Sequence, residues 1–207
     1  ADDVSRSPTQ TDAAPGRFKY RDVNGDGAIT PDDRTFIGNP NPDFVYGFNL
    51  GFSYKKFDLS AVFYGSQGND IWSETRKSTD LTYSSGNNFS KRVLDAWTPQ
   101  HTNTIHPIAE TTPNFSVANV ANTYFIENGS YLKMRSLLLG YNIDANGLKK
   151  IGINKFRVYV QGSNLFTITK YSGFDPEITS YRNLTFGIDE GFYPNSRIIL
   201  VGLNVGF

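Results

Sequence analysis

The residues of this sequence that could do chemistry are concentrated in a twelve-residue run from Asp22 to Asp33. A hard cation such as calcium needs several oxygen ligands at about 2.3–2.6 Å, so the ligands must be spaced to surround one point. Oxygen-bearing side chains occupy positions one, three, five, nine and twelve of the run, and the backbone carbonyl of position seven would add a sixth donor. The predicted calcium ligands are therefore Asp22, Asn24, Asp26, Ala28, Thr30 and Asp33.

Two other residues of the run fit a calcium loop. Gly27 occupies position six, where the chain must turn sharply, and Ile29 at position eight would anchor the loop on its apolar side. Asp33 replaces the longer Glu of helix–loop–helix calcium proteins, and in this respect the loop resembles dockerin repeats. No amphipathic helix precedes it, so it is not a full EF-hand. The alternative is an Asx-rich turn held by hydrogen bonds from backbone to side chains.

The other candidates for chemistry are weaker. His101 and His106 are five residues apart in a loop rich in Pro and Thr, which is a weak metal signal, and we interpret them as solvated loop residues. The acids Asp70, Glu74 and Asp95 come without a visible set of nucleophile, base and orienting group. There is no cysteine, which excludes disulfides and thiol chemistry. The sequence therefore predicts that the chain is not an enzyme.

Composition favours β-structure. The 207 residues have a formal net charge of zero, which gives no indication of a nucleic-acid partner. Only 38% of residues are hydrophobic, yet 14% are aromatic and 19 are glycine, a combination typical of strands and interfacial aromatic girdles. No run of eighteen apolar residues exists, so no transmembrane helix is predicted. A membrane β-barrel remains compatible, because its strands alternate apolar and polar residues.

The last twelve residues are the clearest strand. Apolar side chains fall on every second position there, at Ile199, Val201, Leu203, Val205 and Phe207. A period of two predicts a strand with two different faces. Terminal strands that end in Phe resemble those of bacterial outer-membrane barrels, where the terminal aromatic residue serves as an assembly signal. The alternative is the last strand of a soluble sandwich.

Four earlier segments also alternate. We expect strands at Phe44–Ser53, Phe57–Tyr64, Tyr131–Ile143 and Lys155–Leu165. Lys55 and Lys56 form a tight turn, and Ser90 caps a short predicted helix at 91–97.

The connections between these strands alternate in length. Residues 55–56 and 144–154 are short connections, whereas 68–130 and 166–195 are long. Outer-membrane barrels show this asymmetry, with short periplasmic turns and long extracellular loops. The predicted fold is thus an all-β, antiparallel, up-and-down transmembrane β-barrel segment of about five strands. Lipid should contact Phe48, Leu50, Leu59, Phe63, Leu139, Val160, Val201 and Leu203. The lumen should be lined by Asn49, Gly51, Ser60, Gly140, Gln161 and Asn204.

Several motifs together resemble the C-terminal part of SusC/RagA-type TonB-dependent outer-membrane transporters of Bacteroidetes. They are Lys19-Tyr-Arg-Asp-Val-Asn-Gly-Asp-Gly27, Asp33-Arg-Thr-Phe-Ile-Gly-Asn-Pro-Asn-Pro42, Tyr46-Gly-Phe-Asn-Leu-Gly-Phe52, Gly65-Ser-Gln-Gly-Asn-Asp70, Tyr131-Leu-Lys-Met-Arg135, Leu139-Gly-Tyr-Asn142, Asn164-Leu-Phe-Thr-Ile-Thr-Lys-Tyr-Ser-Gly173, Asp175-Pro-Glu177 and the terminal Phe207.

The resemblance implies a bacterial outer-membrane location and a role in nutrient import. Members of the family have a barrel of twenty-two strands, an N-terminal plug and a segment that engages TonB. They work with a SusD-like surface lipoprotein that closes the barrel. The imported nutrient would be a glycan or a peptide. Five strands cannot close such a barrel, so we expect this chain to be a piece of a longer polypeptide or one part of a split barrel.

The expected organisation has three parts. Residues 1–16 are a polar linker or loop, residues 17–43 an extracellular loop with the calcium site, and residues 44–207 the C-terminal barrel strands. The expected partners are the remaining barrel and plug, the SusD-like lipoprotein, outer-membrane lipid and, indirectly, TonB. The alternative function is a secreted, calcium-stabilised β-sheet module for binding or adhesion.

Overall fold

The computed structural model of the chain describes residues 7–83, 86, 88–117, 120–144, 147, 149–178 and 185–207. Residues 1–6 of the predicted linker lie outside this description. The strands within these residues are β1 (Phe44–Tyr54), β2 (Phe57–Gln67), β3 (Asp70–Ser73), β4 (Ile126–Asn128), β5 (Tyr131–Ile143), β6 (Lys155–Ser163), β7 (Thr167–Thr169), β8 (Ile188–Asp189) and β9 (Ile198–Gly206). The helix α1 is Glu74–Asp80, and 3-10 turns lie at Pro31–Asp33, Lys91–Asp95, Thr123–Phe125 and Lys149–Ile151.

Two compact units divide these elements. The long strands all belong to the unit made of Pro40–Asp70, Asn128–Thr179 and Phe192–Phe207. Its sheet has the order β1-β2-β5-β6-β9, and the short strand β7 also pairs with β5. Every pairing in this sheet is antiparallel. The predicted antiparallel β-fold is therefore confirmed, and the five long strands lie within three residues of their predicted bounds, with the largest difference at the end of β2.

The register of the sheet separates the side chains as the period of two predicts. Phe48 lies opposite Phe63, and their rings stack with centroids 4.5 Å apart. Leu139 lies opposite Val160, and Val160 opposite Val201, so one apolar row crosses three strands. Directly paired residues share a face, and neighbours along a strand do not. The register therefore divides the side chains between two faces as the sequence predicts.

The second face carries polar and charged groups. Arg157 donates hydrogen bonds to the carboxylate of Asp58 across β5, and Asn142 Nδ2 lies 3.3 Å from Asp58 Oδ1. Gly140 on β5 pairs with Asp58, and a Cβ atom there would meet both the Arg157 and the Asp58 side chains. The absence of a side chain at Gly140 is what allows this ion pair to bridge the strands.

A buried lysine holds a long loop against the start of β5. Lys133 is 1% exposed, and its ammonium donates to Asp175 Oδ1 and Oδ2 at 2.9 and 2.8 Å and to Glu177 Oε2 at 2.9 Å. Arg135 donates to the other oxygen of Glu177. The Asn195 backbone N–H reaches Asp175 Oδ2 at 3.3 Å, and its Nδ2 reaches Glu177 Oε2 at 3.2 Å. Three segments of chain therefore meet at one charged cluster.

The other unit consists of Ala1–Asn39, Ile71–Glu127 and Ser180–Gly191. Its core is small and centres on Leu81, Val117 and Phe125, against which Phe18 and Trp72 pack. A short sheet with the order β4-β3-β8 belongs mainly to this unit.

Segments expected to be irregular loop contain this short structure. Ser73 caps α1 by accepting a hydrogen bond from Arg76 N–H, a start signal that we missed. The predicted helix at 91–97 is a 3-10 turn that ends at Asp95, with Ser90 as the cap in agreement with the prediction. No helix in the described part of the chain is long and apolar enough to cross a membrane.

The charged cluster leads to a testable prediction. Lys133→Met keeps most of the side-chain volume but removes the buried cation that both Asp175 and Glu177 contact, which should cost about 3–5 kcal/mol of unfolding free energy. We expect a lower urea midpoint and faster protease cleavage between Tyr171 and Asn195. Lys170→Met, at an exposed position, should change neither.

The triple variant K133M/D175N/E177Q removes the buried charges together and should recover part of the loss. Equal urea midpoints for the wild type and Lys133→Met would contradict this role of Lys133.

Candidate functional site

The run from Asp22 to Asp33 forms a closed loop anchored on the preceding segment. Thr9 and Ala28 form a parallel β-bridge, in which Thr9 N–H donates to the Gly27 carbonyl and Ile29 N–H to the Thr9 carbonyl, both at 2.8 Å. Gly27 has φ of 84°, a left-handed conformation that favours glycine. The chain thus turns where the calcium-loop pattern places its turn, and the bridge fixes the following residues.

The first three predicted ligands curl the loop by accepting backbone hydrogen bonds. Asp22 Oδ1 accepts from Gly25 N–H at 2.6 Å, and its Oδ2 accepts from Gly27 N–H at 2.9 Å. Each bond directs a carboxylate oxygen toward the inside of the turn. Two further bonds of this kind are Asp26 N–H to Asn24 Oδ1 at 2.9 Å and Ala28 N–H to Asp26 Oδ1 at 2.8 Å.

Asp33 closes the loop by bonding to its two ends. Its Oδ1 accepts from Val23 N–H at 2.8 Å and Asn24 N–H at 3.4 Å, and its Oδ2 accepts from Thr30 N–H at 2.8 Å. Thr30 in turn accepts from the Asp32 backbone, completing a capping box for the 3-10 turn at Pro31–Asp33. The backbone donors of Thr30 and then Val23 lower the pKa of Asp33 because they stabilise its charged form.

The donor set is made entirely of oxygen atoms, which suits a hard cation. The carboxylates of Asp22 and Asp26 have lone pairs beyond those used by the backbone, and Asn24 and Asp26 are exposed to solvent. As the side chains stand, however, no three His, Cys, Asp or Glu residues in the described ranges are grouped so that they could hold a metal ion. The Asx turns of the alternative interpretation are present.

The two histidines are hydrogen-bonded loop residues. His101 Nε2 lies 2.7 Å from Asp95 Oδ1, and His106 Nδ1 lies 2.8 Å from the Tyr124 hydroxyl. Asp95 is close to His101 in sequence, whereas Tyr124 is distant from His106. Only the contact of His101 could therefore be expected from residue spacing.

Asp80 is the main charged residue that the sequence did not reveal. Its side chain is 1% exposed and accepts from Arg92 Nε at 2.8 Å, Arg76 Nε at 3.2 Å and the Tyr124 hydroxyl at 2.9 Å. Burial alone would raise the pKa of Asp80, but the bonds from Arg92 and Tyr124 and the two guanidinium charges lower it overall. Burial, followed by the charge of Asp80, raises the pKa of Tyr124 to about 12. The cluster therefore stays ionised and structural near neutral pH.

Loop aromatics divide into packed and exposed groups. Trp72 packs on the core of its unit, and its Nε1 donates to Glu74 at 2.8 Å. Phe174 is 78% exposed although the neighbouring residues Tyr171 and Asp175 are held in place. Of these two, only Phe174 leaves its ring exposed to solvent.

Similar proteins are TonB-dependent receptors. TonB-dependent receptor P3 of Formosa agariphila is 38% identical over 204 residues, covering 95% of this chain and 19% of the relative. TonB-dependent receptor SusC of Bacteroides thetaiotaomicron is 30% identical over 192 residues, covering 91% and 17%. This chain thus spans about a fifth of the length of the curated relatives it matches. No family model matches it.

Solved structures give the same result. A structure of the RagAB peptide transporter superposes with a TM-score of 0.70 at 30% identity, covering 87% of this chain and 19% of that one. The RagAB peptide importer in its closed-closed state gives 0.72 at 28% identity, covering 98% and 22%. The resemblance to SusC/RagA-type transporters is confirmed. The outer-membrane location and the absence of an enzymatic role are confirmed with it, since these relatives are outer-membrane receptors and transporters rather than enzymes.

The closure of the loop by Asp33 should depend on pH. Because the folded-state pKa of Asp33 lies below the ordinary value of about 3.9, its bonds are fully present above that value and are lost as the pH falls through the lowered pKa. Hydrogen exchange of the Val23 and Thr30 amides, corrected for the intrinsic rate, should show protection between pH 5 and 7 that disappears in stronger acid. Asp33→Asn should reduce this protection at all pH values, whereas Asp32→Asn, at an exposed position, should not. Unchanged protection in Asp33→Asn would show that other contacts close the loop.

Proposed function

We propose that this chain, which is homologous to part of the SusC/RagA-type TonB-dependent receptors, supplies C-terminal strands of an outer-membrane importer. The observation that carries the proposal is similarity to such receptors over more than nine-tenths of the chain. The activity of the complete transporter is inferred from those relatives, because the chain covers only a part of them.

The exposure of the apolar face supports membrane insertion. Ile199, Val201 and Leu203 on β9 are 70%, 73% and 61% exposed, and the apolar row continues across β6 and β5. Water disfavours a contiguous apolar surface of this kind, whereas lipid requires one. The opposite face, with the Asp58–Arg157 pair, is suited to a hydrated lumen.

The edges of the sheet support a larger barrel. Within the described residues, β1 and β9 are each hydrogen-bonded to a long strand on one side only. In lipid, an unpaired strand edge leaves backbone groups without partners at a cost of several kcal/mol each. Further strands must therefore pair with β1 and β9, which fits a closed barrel of twenty-two strands with short periplasmic turns and long extracellular loops.

The remaining parts of the importer follow from the family. A plug inside the barrel would couple to TonB, which supplies the energy, and a SusD-like lipoprotein would close the barrel from outside. The substrate would be a glycan or a peptide. The similar RagAB structures are named as a peptide transporter and a peptide importer, which supports a peptide as the substrate.

The Asp22–Asp33 loop would bind calcium on the extracellular side. Asp22, Asn24, Asp26, Thr30, Asp33 and the Ala28 carbonyl would supply the oxygens, and water would complete a site made roomier by the short Asp33 side chain. The metal would replace hydrogen bonds in holding the loop closed. This role is structural, since nothing in the loop resembles a reaction centre.

The orientation of the two faces provides the test of the proposed function. In the full-length transporter, Val160→Arg places a charge on the outward face and should cost about 2–4 kcal/mol if it lies near the bilayer midplane. Gln161→Arg, the next residue on the lumen face, is the matched control and should be tolerated. The measurements are the amount of heat-modifiable barrel in outer membranes and TonB-dependent growth on the transported nutrient. Equal assembly of the two variants, or a transporter that stays in solution without detergent, would refute the proposal.

Calcium binding has its own test by calorimetry on the detergent-solubilised transporter. The wild type and Asp32→Asn should each bind calcium at this loop, with a dissociation constant on the order of 10⁻⁴–10⁻³ M as in extracellular modules. The variant D22N/D26N should bind one ion fewer because it loses two anionic ligands. Identical titrations for the wild type and D22N/D26N would remove the calcium proposal while leaving the transport proposal intact.

A further inference from the structure

The zero net charge of the chain hides a strong local asymmetry. The two short connections of the long-stranded sheet lie at one end of it, within residues 54–58 and 143–157. Together these segments contain six Lys or Arg residues and two acids, although the chain as a whole has 20 of each sign. The rest of the chain therefore has four more acids than bases. We call this basic end of the sheet the turn end.

Both acids at the turn end are already neutralised. Asp144 pairs with Lys56, and Asp58 pairs with Arg157. The four cations that remain are exposed, and among the described residues they form no ion pair: Lys55, Lys149, Lys150 and Lys155. A surface with this excess of positive charge attracts anions.

Aromatic side chains form a belt on the apolar face at the same end. Tyr54, Phe57 and Phe207 are 59%, 51% and 84% exposed, and Phe57 packs on Tyr141 with ring centroids 4.7 Å apart. The register places Phe156 on this face too, since it pairs with both Ile143 and Val205. Aromatic belts mark the level of the lipid headgroups in membrane proteins. The turns beyond the belt would lie among those headgroups.

Lys55 illustrates how the two features combine. Its ammonium lies 5.3 Å from the centroid of the Tyr54 ring, so the charge lies beside an aromatic residue of the belt at the turn end. Long cationic side chains at membrane interfaces adopt this arrangement, with an apolar stem and a charge near the headgroups.

We propose that Lys55, Lys149 and Lys150 bind the phosphate groups of anionic phospholipids in the periplasmic leaflet of the outer membrane. The inference rests on the proposed membrane function and its orientation. A lipid suits the site better than a free phosphate because Lys55 adjoins the belt and the turn end borders the exposed apolar face, which would contact the acyl chains of the same molecule. An ammonium group binds phosphate as a point charge and needs no fixed fork geometry, so lysines on turns can supply it.

Lys155 serves as an internal control. It pairs with Gly206 and alternates with Phe156 along β6, which places it on the same face as Arg157, toward the lumen. It has the same charge at the same end of the sheet but does not face lipid.

The experiment uses the full-length transporter in nanodiscs that contain equal amounts of phosphatidylglycerol and phosphatidylcholine. Lipids retained through a detergent wash are quantified by mass spectrometry for the wild type, K55Q/K149Q/K150Q and the charge-matched K91Q/K155Q/K170Q. A lysine near an anionic surface contributes roughly a fivefold preference at low salt. The ratio of retained phosphatidylglycerol to phosphatidylcholine should thus fall about fivefold or more in the first variant and stay near the wild-type value in the second. High salt should reduce the wild-type ratio, because these lysines are exposed.

An unchanged ratio in K55Q/K149Q/K150Q, or an equal fall in both variants, would overturn the inference while the proposed import function stands. Both variants are first checked for heat-modifiable mobility, so that a loss of folding is not read as a loss of lipid binding. A wild-type protein that does not insert into nanodiscs at all would refute the proposed function, and this inference with it.

Discussion

Backbone pairing is the constraint on which the sheet of this protein depends. Once β1, β2, β5, β6 and β9 are hydrogen-bonded in one register, every side chain is assigned to one of two faces, and a slip by one residue would exchange those faces. Leu203 would then lie with the Asp58–Arg157 pair, and Asn204 with the apolar row. The ion pair across β5 therefore opposes slippage, because it needs Asp58 opposite Gly140 and Arg157 opposite Asn142 on the same face. Cross-strand polar contacts and the apolar face specify the same register.

The two units of the chain are stabilised in different ways. Long strands gain a hydrogen-bonded ladder, so their unit can leave large apolar side chains exposed and still be ordered. The other unit has a core of only a few buried side chains and relies on groups such as Asp80 and Ser116, which are buried and hydrogen-bonded to distant parts of the chain. Each such contact needs both partners, since a buried polar group without one is costly. Loops built in this way are ordered without the hydrogen-bonded ladder of a sheet.

Sequence patterns predicted what is periodic or local and missed what is not. Tyr131–Ile143 was predicted with its observed bounds because thirteen residues of alternation give a strong signal. The Ser90 cap was also local, although the helix after it is shorter than expected. The Lys133 cluster could not be found in this way. Both of its motifs were recognised, but Asp175 and Glu177 lie more than forty residues from Lys133, and no rule of spacing connects positions that far apart. The partners of Asp80 escaped prediction for the same reason.

In the Asp22–Asp33 loop, the residue spacing and the observed hydrogen bonds indicate two different roles for the same side chains. Its residue spacing predicts a cation site, and the same residues hold the loop closed through backbone hydrogen bonds. These two uses compete only in part, since an ionised carboxylate oxygen has two lone pairs and most of the backbone bonds take one. Asp33 is the exception, because its Oδ1 already accepts two bonds. A cation that enters the loop must therefore weaken the contact of Asp33 with Val23 or Asn24, or leave Asp33 coordinated through Oδ2 alone. Either outcome gives looser coordination than a longer Glu would provide, so the conformation that closes the loop without a metal also limits how tightly a metal can be held.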